Sequence, residues 1–96
     1  MILSELIESE LLFWREQESS ADAKNKYVVH GGVCEILWLK DNIEKITREF
    51  LLARYNEIRD SKSDAVLYEL ALVSAERNKK RMEAIKIVGT KLKMVC

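Results

Sequence analysis

The residues best suited to chemistry lie in one stretch, Lys26 to Trp38, which reads KYVVHGGVCEILW. It holds the chain's single histidine, His30, then Gly31 and Gly32, then Cys34. On a continuous helix His30 and Cys34, four positions apart, share a face. A Cys–His pair can supply a nucleophile and a base, but such catalysis also needs an orienting group and an oxyanion hole. No residue at a spacing typical of such sites supplies the orienting group, so we expect no catalytic residues and no enzyme activity.

Metal and phosphate binding are the other chemistries that this stretch suggests. Zinc needs four ligands, usually in two short Cys or His spacings, whereas Cys34 and Cys96 are far apart, so we expect neither a metal nor a cofactor. Paired glycines can present backbone N–H groups to a phosphate, but the usual phosphate-loop patterns are absent. An alternative is a small-anion or nucleotide pocket between protomers. Its candidate residues are Lys24, Lys26, Tyr27 and His30.

A second candidate site is the basic run ERNKKRMEAIK, which begins at Glu76. On a helix Arg77, Lys80 and Arg81 fall close together, and several basic side chains on one face can bind phosphates. No recognition-helix motif or RNP sequence accompanies them. Nucleic-acid binding through the third helix is therefore an alternative that the sequence does not favour.

The bulk properties limit the elements that can position these residues. A chain of 96 residues is expected to form a single domain over residues 1–96. With 48% hydrophobic residues it is too apolar to be disordered, and without proline and with three glycines it favours long helices. No apolar run approaches the ~20 residues of a membrane span. Glutamates interrupt the opening residues, so no signal peptide is expected, and the predicted compartment is the cytoplasm.

Apolar spacing predicts a first helix over residues 2–17. Leu3, Ile7, Leu11 and Trp14 recur at helical spacing, and the other apolar residues of the segment flank them on the same side. Leu12 is the one that falls outside this face. The polar stretch ESSADAKNK follows as a turn.

The second helix is predicted over residues 21–59, with Gly31 and Gly32 inside it as a notch for a close helix crossing. Ser19 and Asp22 fit a capping box before it. Its main support is an a/d heptad seam typical of coiled coils, which alternates steps of three and four without a slip. The seam residues are Val29, Gly32, Ile36, Leu39, Ile43, Ile46, Phe50 and Ala53. The rival interpretation starts the helix at Gly32, with an extended segment before it.

The third helix is predicted over residues 62–88, after a capping box formed by Ser61 and Asp64. Its first residues are apolar on nearly every side, which indicates burial by more than one neighbour. The tail IKIVGTKLKMV alternates and has β-branched residues around Gly89 and Thr90, so a small hairpin after Ala84 is the alternative.

These elements predict an all-α fold: an antiparallel hairpin of helices 2 and 3 plus the shorter first helix, a three-helix bundle. The end of helix 3 would return beside the start of helix 2 and beside helix 1. Residues 1–22 hold six acidic residues against one basic, and residues 76–96 hold seven basic against two acidic. The predicted arrangement would place these opposite charges side by side.

The apolar surface exceeds what three helices in one layer can cover, which indicates an interface. We therefore expect a homo-oligomer, a dimer or higher, with a further protein partner and no membrane association. The predicted function is that of a non-enzymatic adaptor, inhibitor or regulator, for which a phage or mobile-element origin would fit. The candidate interface residues are Trp14, Trp38, Leu51, Leu52, Tyr55, Leu67 and Leu70.

Overall fold

The structure, a computed structural model, describes residues 2–61 and 68–95. In these residues the chain forms four α-helices: α1 (Leu3–Ser19), α2 (Ala23–Asp41), α3 (Arg48–Asp60) and α4 (Tyr68–Val95). A short 3-10 helix, Ile43–Lys45, lies between α2 and α3, and no strand occurs in the described ranges. The predicted all-α class is confirmed. None of the helices so described combines the length and apolarity needed to cross a membrane.

The single second helix predicted over residues 21–59 is wrong, because the chain reverses between α2 and α3. After α2 the Asn42 side chain donates a 2.8 Å hydrogen bond to the Trp38 carbonyl, and Asn42 itself leaves helical geometry. Thr47 then caps α3, its hydroxyl accepting from the Phe50 N–H at 3.1 Å. Such polar side chains offer the backbone alternatives to a continuous helix. The apolar pattern gave no sign of this break, because Ile43 and Ile46 pack against the core as they would in a continuous helix.

The prediction that Gly31 and Gly32 lie inside the second helix is confirmed, since α2 begins at Ala23. Asp22 rather than Ser19 is the cap, and its carboxylate accepts from the Asn25 N–H at 2.9 Å. The tail is helical through Val95, so the alternative hairpin does not form there. The predicted start of helix 3 at residue 62, with the partner Asp64 of its capping box, lies outside the described residues.

Successive helices run antiparallel, as contacts along the chain indicate. The α1 residue Glu18 meets His30 of α2, and Asn78 of α4 donates to Ser61 at the end of α3 at 3.2 Å. Between α2 and α3 the contacts are Glu35 with Arg54 and Trp38 with Phe50. As a result α2 and α4 run parallel and pack on each other, with α1 packed mainly on α2 and α3 packed on α4.

The predicted three-helix arrangement is therefore wrong. Because of the extra reversal, Arg77 near the start of α4 lies beside Tyr27 near the start of α2. The predicted neighbourhood of the acidic first helix and the basic last helix does exist. Glu10 of α1 forms an ion pair with Lys91 near the end of α4.

The core lies where α2 and α4 meet the other helices, and glycine determines how close they come. A Cβ atom at Gly31 would lie 2.9 Å from the backbone oxygen of Arg77, so α4 can approach α2 only because that atom is missing. At Gly32 the space is taken by the indole of Trp14 from α1. The predicted notch is confirmed. The core side chains include Leu6, Ile7, Trp14, Ile36, Leu39, Ile58, Ile85 and Val88.

Candidate functional site

His30 and Cys34 point to different helices. His30 Nδ1 lies 2.7 Å from a carboxylate oxygen of Glu18 on α1, and the His30 side chain is half exposed. The Cys34 thiol is free, and its sulfur accepts a 3.5 Å hydrogen bond from Arg77 of α4. Each side chain of the suggested pair thus already has a partner in another helix. Within residues 2–61 and 68–95, no three His, Cys, Asp or Glu side chains gather as a metal site would require.

The candidate anion-binding residues divide between two places. Lys26 and His30 meet in a recess of about 520 Å³ between α1 and α2, which we call the α1–α2 recess. Arg15, which the sequence did not suggest, joins them there, whereas Tyr27 lies elsewhere under an arginine of α4 and Lys24 is exposed. The recess is lined by Arg15, Glu18, Ser19, Lys26, His30, Val33 and Leu37.

The candidate nucleic-acid residues are largely used within the bundle. The guanidinium of Arg77 lies 4.5 Å above the Tyr27 ring and donates to the Tyr27 carbonyl at 2.8 Å. Arg81 donates to Glu35, a carboxylate of α2, at 2.9 Å. Lys80 projects further and pairs with a glutamate one turn along α4. Two of the three predicted phosphate-binding side chains therefore hold α4 against α2.

Glu35 is the centre of an ionic cluster that sequence reasoning missed. Its carboxylate is 2% exposed and accepts two hydrogen bonds from Arg54, at 3.0 and 2.8 Å, and one from Arg81. The hydrogen bonds that Arg54 donates to Glu35 raise the pKa of Arg54, whose guanidinium also stacks 4.4 Å above the Trp38 ring. The cluster joins α2, α3 and α4, and the two guanidinium groups compensate the buried carboxylate.

A second buried carboxylate, Glu10, pairs with Lys91. It too was overlooked, although a signal was present in the spacing. Glu10 lies three residues after Ile7 and four before Trp14, within the apolar stripe of α1. A charged residue in such a stripe indicates a partner on a neighbouring helix, because a buried charge is unfavourable unless it is paired.

An open apolar groove of about 640 Å³ lies between α3 and α4. Leu51 and Ile85 are its buried residues, Leu52 beside them is 60% exposed, and Gly89 contributes no side chain. We call it the α3–α4 groove. It brings together three of the predicted interface residues: Leu51, Leu52 and Tyr55. Its other lining residues are Arg48, Glu49, Lys86 and Thr90.

Of the remaining candidate interface residues, Trp14 and Trp38 do not line the α3–α4 groove. Trp14 is 2% exposed and lies against Gly32 inside the chain. Trp38 is half-buried and stacks on Phe50, with ring centroids 5.2 Å apart. Leu67 and the side chain of Leu70 lie outside what the structure describes.

The outward side of α1 is a second exposed apolar surface. Ile2, Leu12 and Phe13 are 62%, 61% and 45% exposed, which places them among the most exposed large apolar side chains described. The sequence signal for Leu12 was its position outside the apolar face of the predicted helix. Ile2 and Phe13 carried no such signal, since they flank that face.

Comparisons of the chain with protein-family models, with curated proteins and with solved structures found no match.

Proposed function

We propose that this chain is a non-enzymatic helical interaction protein that self-associates and binds another macromolecule, as an adaptor, inhibitor or regulator. The observation that carries the proposal is the α3–α4 groove, in which an exposed leucine stands beside a buried apolar surface. An apolar surface ringed by polar side chains is typical of a site for another protein. Here Arg48, Glu49 and Lys86 provide that polar surround.

The positions of the reactive side chains favour binding over catalysis. His30, Cys34 and Glu35 are the groups in the opening stretch with catalytic potential, and each contacts a residue of another helix. These contacts connect α2 to its neighbours. A core connected in this way keeps the helices that form the binding surfaces in fixed positions.

Sedimentation of the purified chain over a range of concentrations tests self-association. We expect the average mass to rise with concentration, and Leu52→Lys to keep the chain monomeric because it puts a charge on the apolar groove. Ala53→Lys is the matched control, since Ala53 is exposed on the same helix but does not line the groove. A wild-type chain that is monomeric at its highest soluble concentration would refute the self-association.

Binding of another macromolecule needs a separate experiment. The wild-type chain, Leu52→Lys and Ala53→Lys would each be immobilised and exposed to a lysate of the native host, and the retained material identified by mass spectrometry. We expect a component that wild type and Ala53→Lys retain and Leu52→Lys does not. Retention of the same material by all three chains would contradict a role for the groove.

A second candidate function, binding of a small anion or nucleotide, is favoured by the α1–α2 recess. Arg15, Lys26 and His30 line one cavity there, although Glu18 adds an opposing negative charge. A thermal-shift screen with phosphate, nucleotides and carboxylates tests it, because a ligand at 100 times its Kd stabilises the fold by about 2.7 kcal/mol. We expect Lys26→Ala to abolish the shift and Lys24→Ala, outside the recess, to keep it. A flat screen would refute this function.

A further inference from the structure

Two exposed apolar surfaces of this chain differ in charge, and they lie on different helices. We infer that copies of the chain bind head to tail, with the outward side of α1 from one copy lying in the α3–α4 groove of the next. The inference rests on the self-association proposed above and specifies its geometry. The molecule that fills the α3–α4 groove is therefore another copy of this chain.

The outward side of α1 combines exposed apolar side chains with acidic ones on one side of the helix. Exposed residues follow one another along it at spacings of three and four, with Phe13 adjoining Leu12. Its apolar members are Ile2 and the adjacent pair Leu12 and Phe13, which can act as the anchor side chains of a helix bound in an apolar groove. We call this surface the α1 outer face. Its residues are Ile2, Glu5, Ser9, Leu12, Phe13 and Glu16.

The α3–α4 groove offers a volume of about 640 Å³ to the adjacent anchors Leu12 and Phe13. On α3 it extends from Arg48 to Tyr55, about 10 Å of helix at 1.5 Å per residue. On α4 it is widened at Gly89, where an added Cβ would find its nearest neighbour, a Leu51 methyl carbon, 3.9 Å away. The groove thus has the length of about two helical turns and an open floor.

The charges of the two surfaces also match. Glu5 and Glu16 are the charged residues of the α1 outer face, whereas Arg48 and Lys86 border the groove with one acidic residue, Glu49. Arg15, the basic side chain of α1, lies away from this face in the α1–α2 recess. An acidic helix face beside a mainly basic groove favours this pairing over groove against groove, which would bring like charges together.

Within one molecule the two surfaces do not cover each other, because Leu12 on α1 and Leu52 on α3 are both exposed. When two copies make this contact once, one surface of each kind stays free. The assembly therefore grows into a chain or closes into a ring, the smallest ring being a dimer that makes the contact twice.

Two variants, each with one damaged surface, test the geometry. Leu12→Asp damages the α1 outer face and Leu52→Asp damages the groove, and both positions are exposed enough that the fold should survive, which circular dichroism would check. We expect each variant alone to be monomeric. An equimolar mixture should form a dimer of twice the chain mass that does not grow further, because one intact surface of each kind remains.

The possible results separate the inference from the proposed function. If Leu12→Asp associates as the wild type does, or the mixture stays monomeric while the wild type associates, the head-to-tail geometry is refuted and self-association stands. A wild-type chain that is itself monomeric refutes the self-association as well. Exchange of charges supplies a second measurement: Glu16→Lys should weaken association, and Lys86→Glu in the same chain should restore it.

Discussion

The indole ring of Trp14 occupies the space above Gly32 that a side chain would otherwise fill. A Cβ atom at Gly32 would lie 2.6 Å from Cδ2 of Trp14, closer than such atoms approach in folded proteins. At the neighbouring Gly31 an added Cβ atom would lie 2.9 Å from the backbone oxygen of Arg77 on α4. One pair of glycines thus lets α2 contact α1 on one side and α4 on the other. The HGG sequence serves helix packing, and its histidine is bound by Glu18.

We expect Gly32→Ala to destabilise the fold by about 1 to 3 kcal/mol. Alanine favours a helix over glycine by about 1 kcal/mol, but the added methyl group overlaps a buried ring, and overpacking of a core costs about 1 to 3 kcal/mol or more. Gly31→Ala should behave similarly, because the obstructing atom there belongs to the backbone of α4. Urea unfolding followed by circular dichroism would measure both changes.

Gly89→Ala is the matched substitution, and we expect it to stabilise the fold. Gly89 lies inside α4 without a positive φ, and a methyl group there makes at most an ordinary van der Waals contact with Leu51. The free energy of unfolding should rise by about 0.5 to 1 kcal/mol, which for a chain of this size raises the Tm by several degrees. The comparison is best made in the Leu52→Lys background, where association does not contribute. A loss of stability would mean that Gly89 has a backbone role.

The sequence was sufficient for the helical class, which the apolar periodicity and the absence of proline indicate, and for the role of Gly31 and Gly32, which the apolar seam running through them indicates. It was insufficient for the reversal between α2 and α3. A heptad seam records which residues face the core, and Ile43 in the 3-10 helix and Ile46 just after it pack against the core as they would in a continuous helix. What breaks the helix is local hydrogen bonding by Asn42 and Thr47, which periodicity does not register.

The α3–α4 groove was predicted only in part, because its residues come from two helices and its two sides are distant in sequence. Leu51, Leu52 and Tyr55 could be selected because they are apolar and close in sequence. Their joining with Ile85 and Gly89 depends on how α3 folds back along α4. The role of Glu35 depended on two arginines distant in sequence, so no local spacing could identify its partners.

We expect Glu35→Gln to destabilise the fold by about 2 to 4 kcal/mol. The substitution keeps the shape but removes the charge that compensates Arg54 and Arg81, and breaking a buried ion pair costs about 3 to 5 kcal/mol. The lower range applies because the two arginine side chains are 17% and 26% exposed and partly reach water. Chemical unfolding at neutral pH would measure it.

The control for this substitution is Glu44→Gln, an equal change of charge at an exposed position of the 3-10 segment. It should alter stability by no more than about 0.5 kcal/mol. If Glu35→Gln proves as mild as this control, the arginines do not need Glu35, and the cluster does not hold α2, α3 and α4 together.

Thr47→Ala should destabilise the fold by about 1 kcal/mol, because it removes the hydroxyl that accepts from the Phe50 N–H at the start of α3. Thr47→Ser retains that hydroxyl and should change stability by a few tenths of a kcal/mol at most. Hydrogen exchange would locate the effect: the first amides of α3 should exchange faster in Thr47→Ala, and those of α1 should not change. Equal losses for alanine and serine would show that the methyl group of Thr47, and not its cap, supports the reversal that builds the groove.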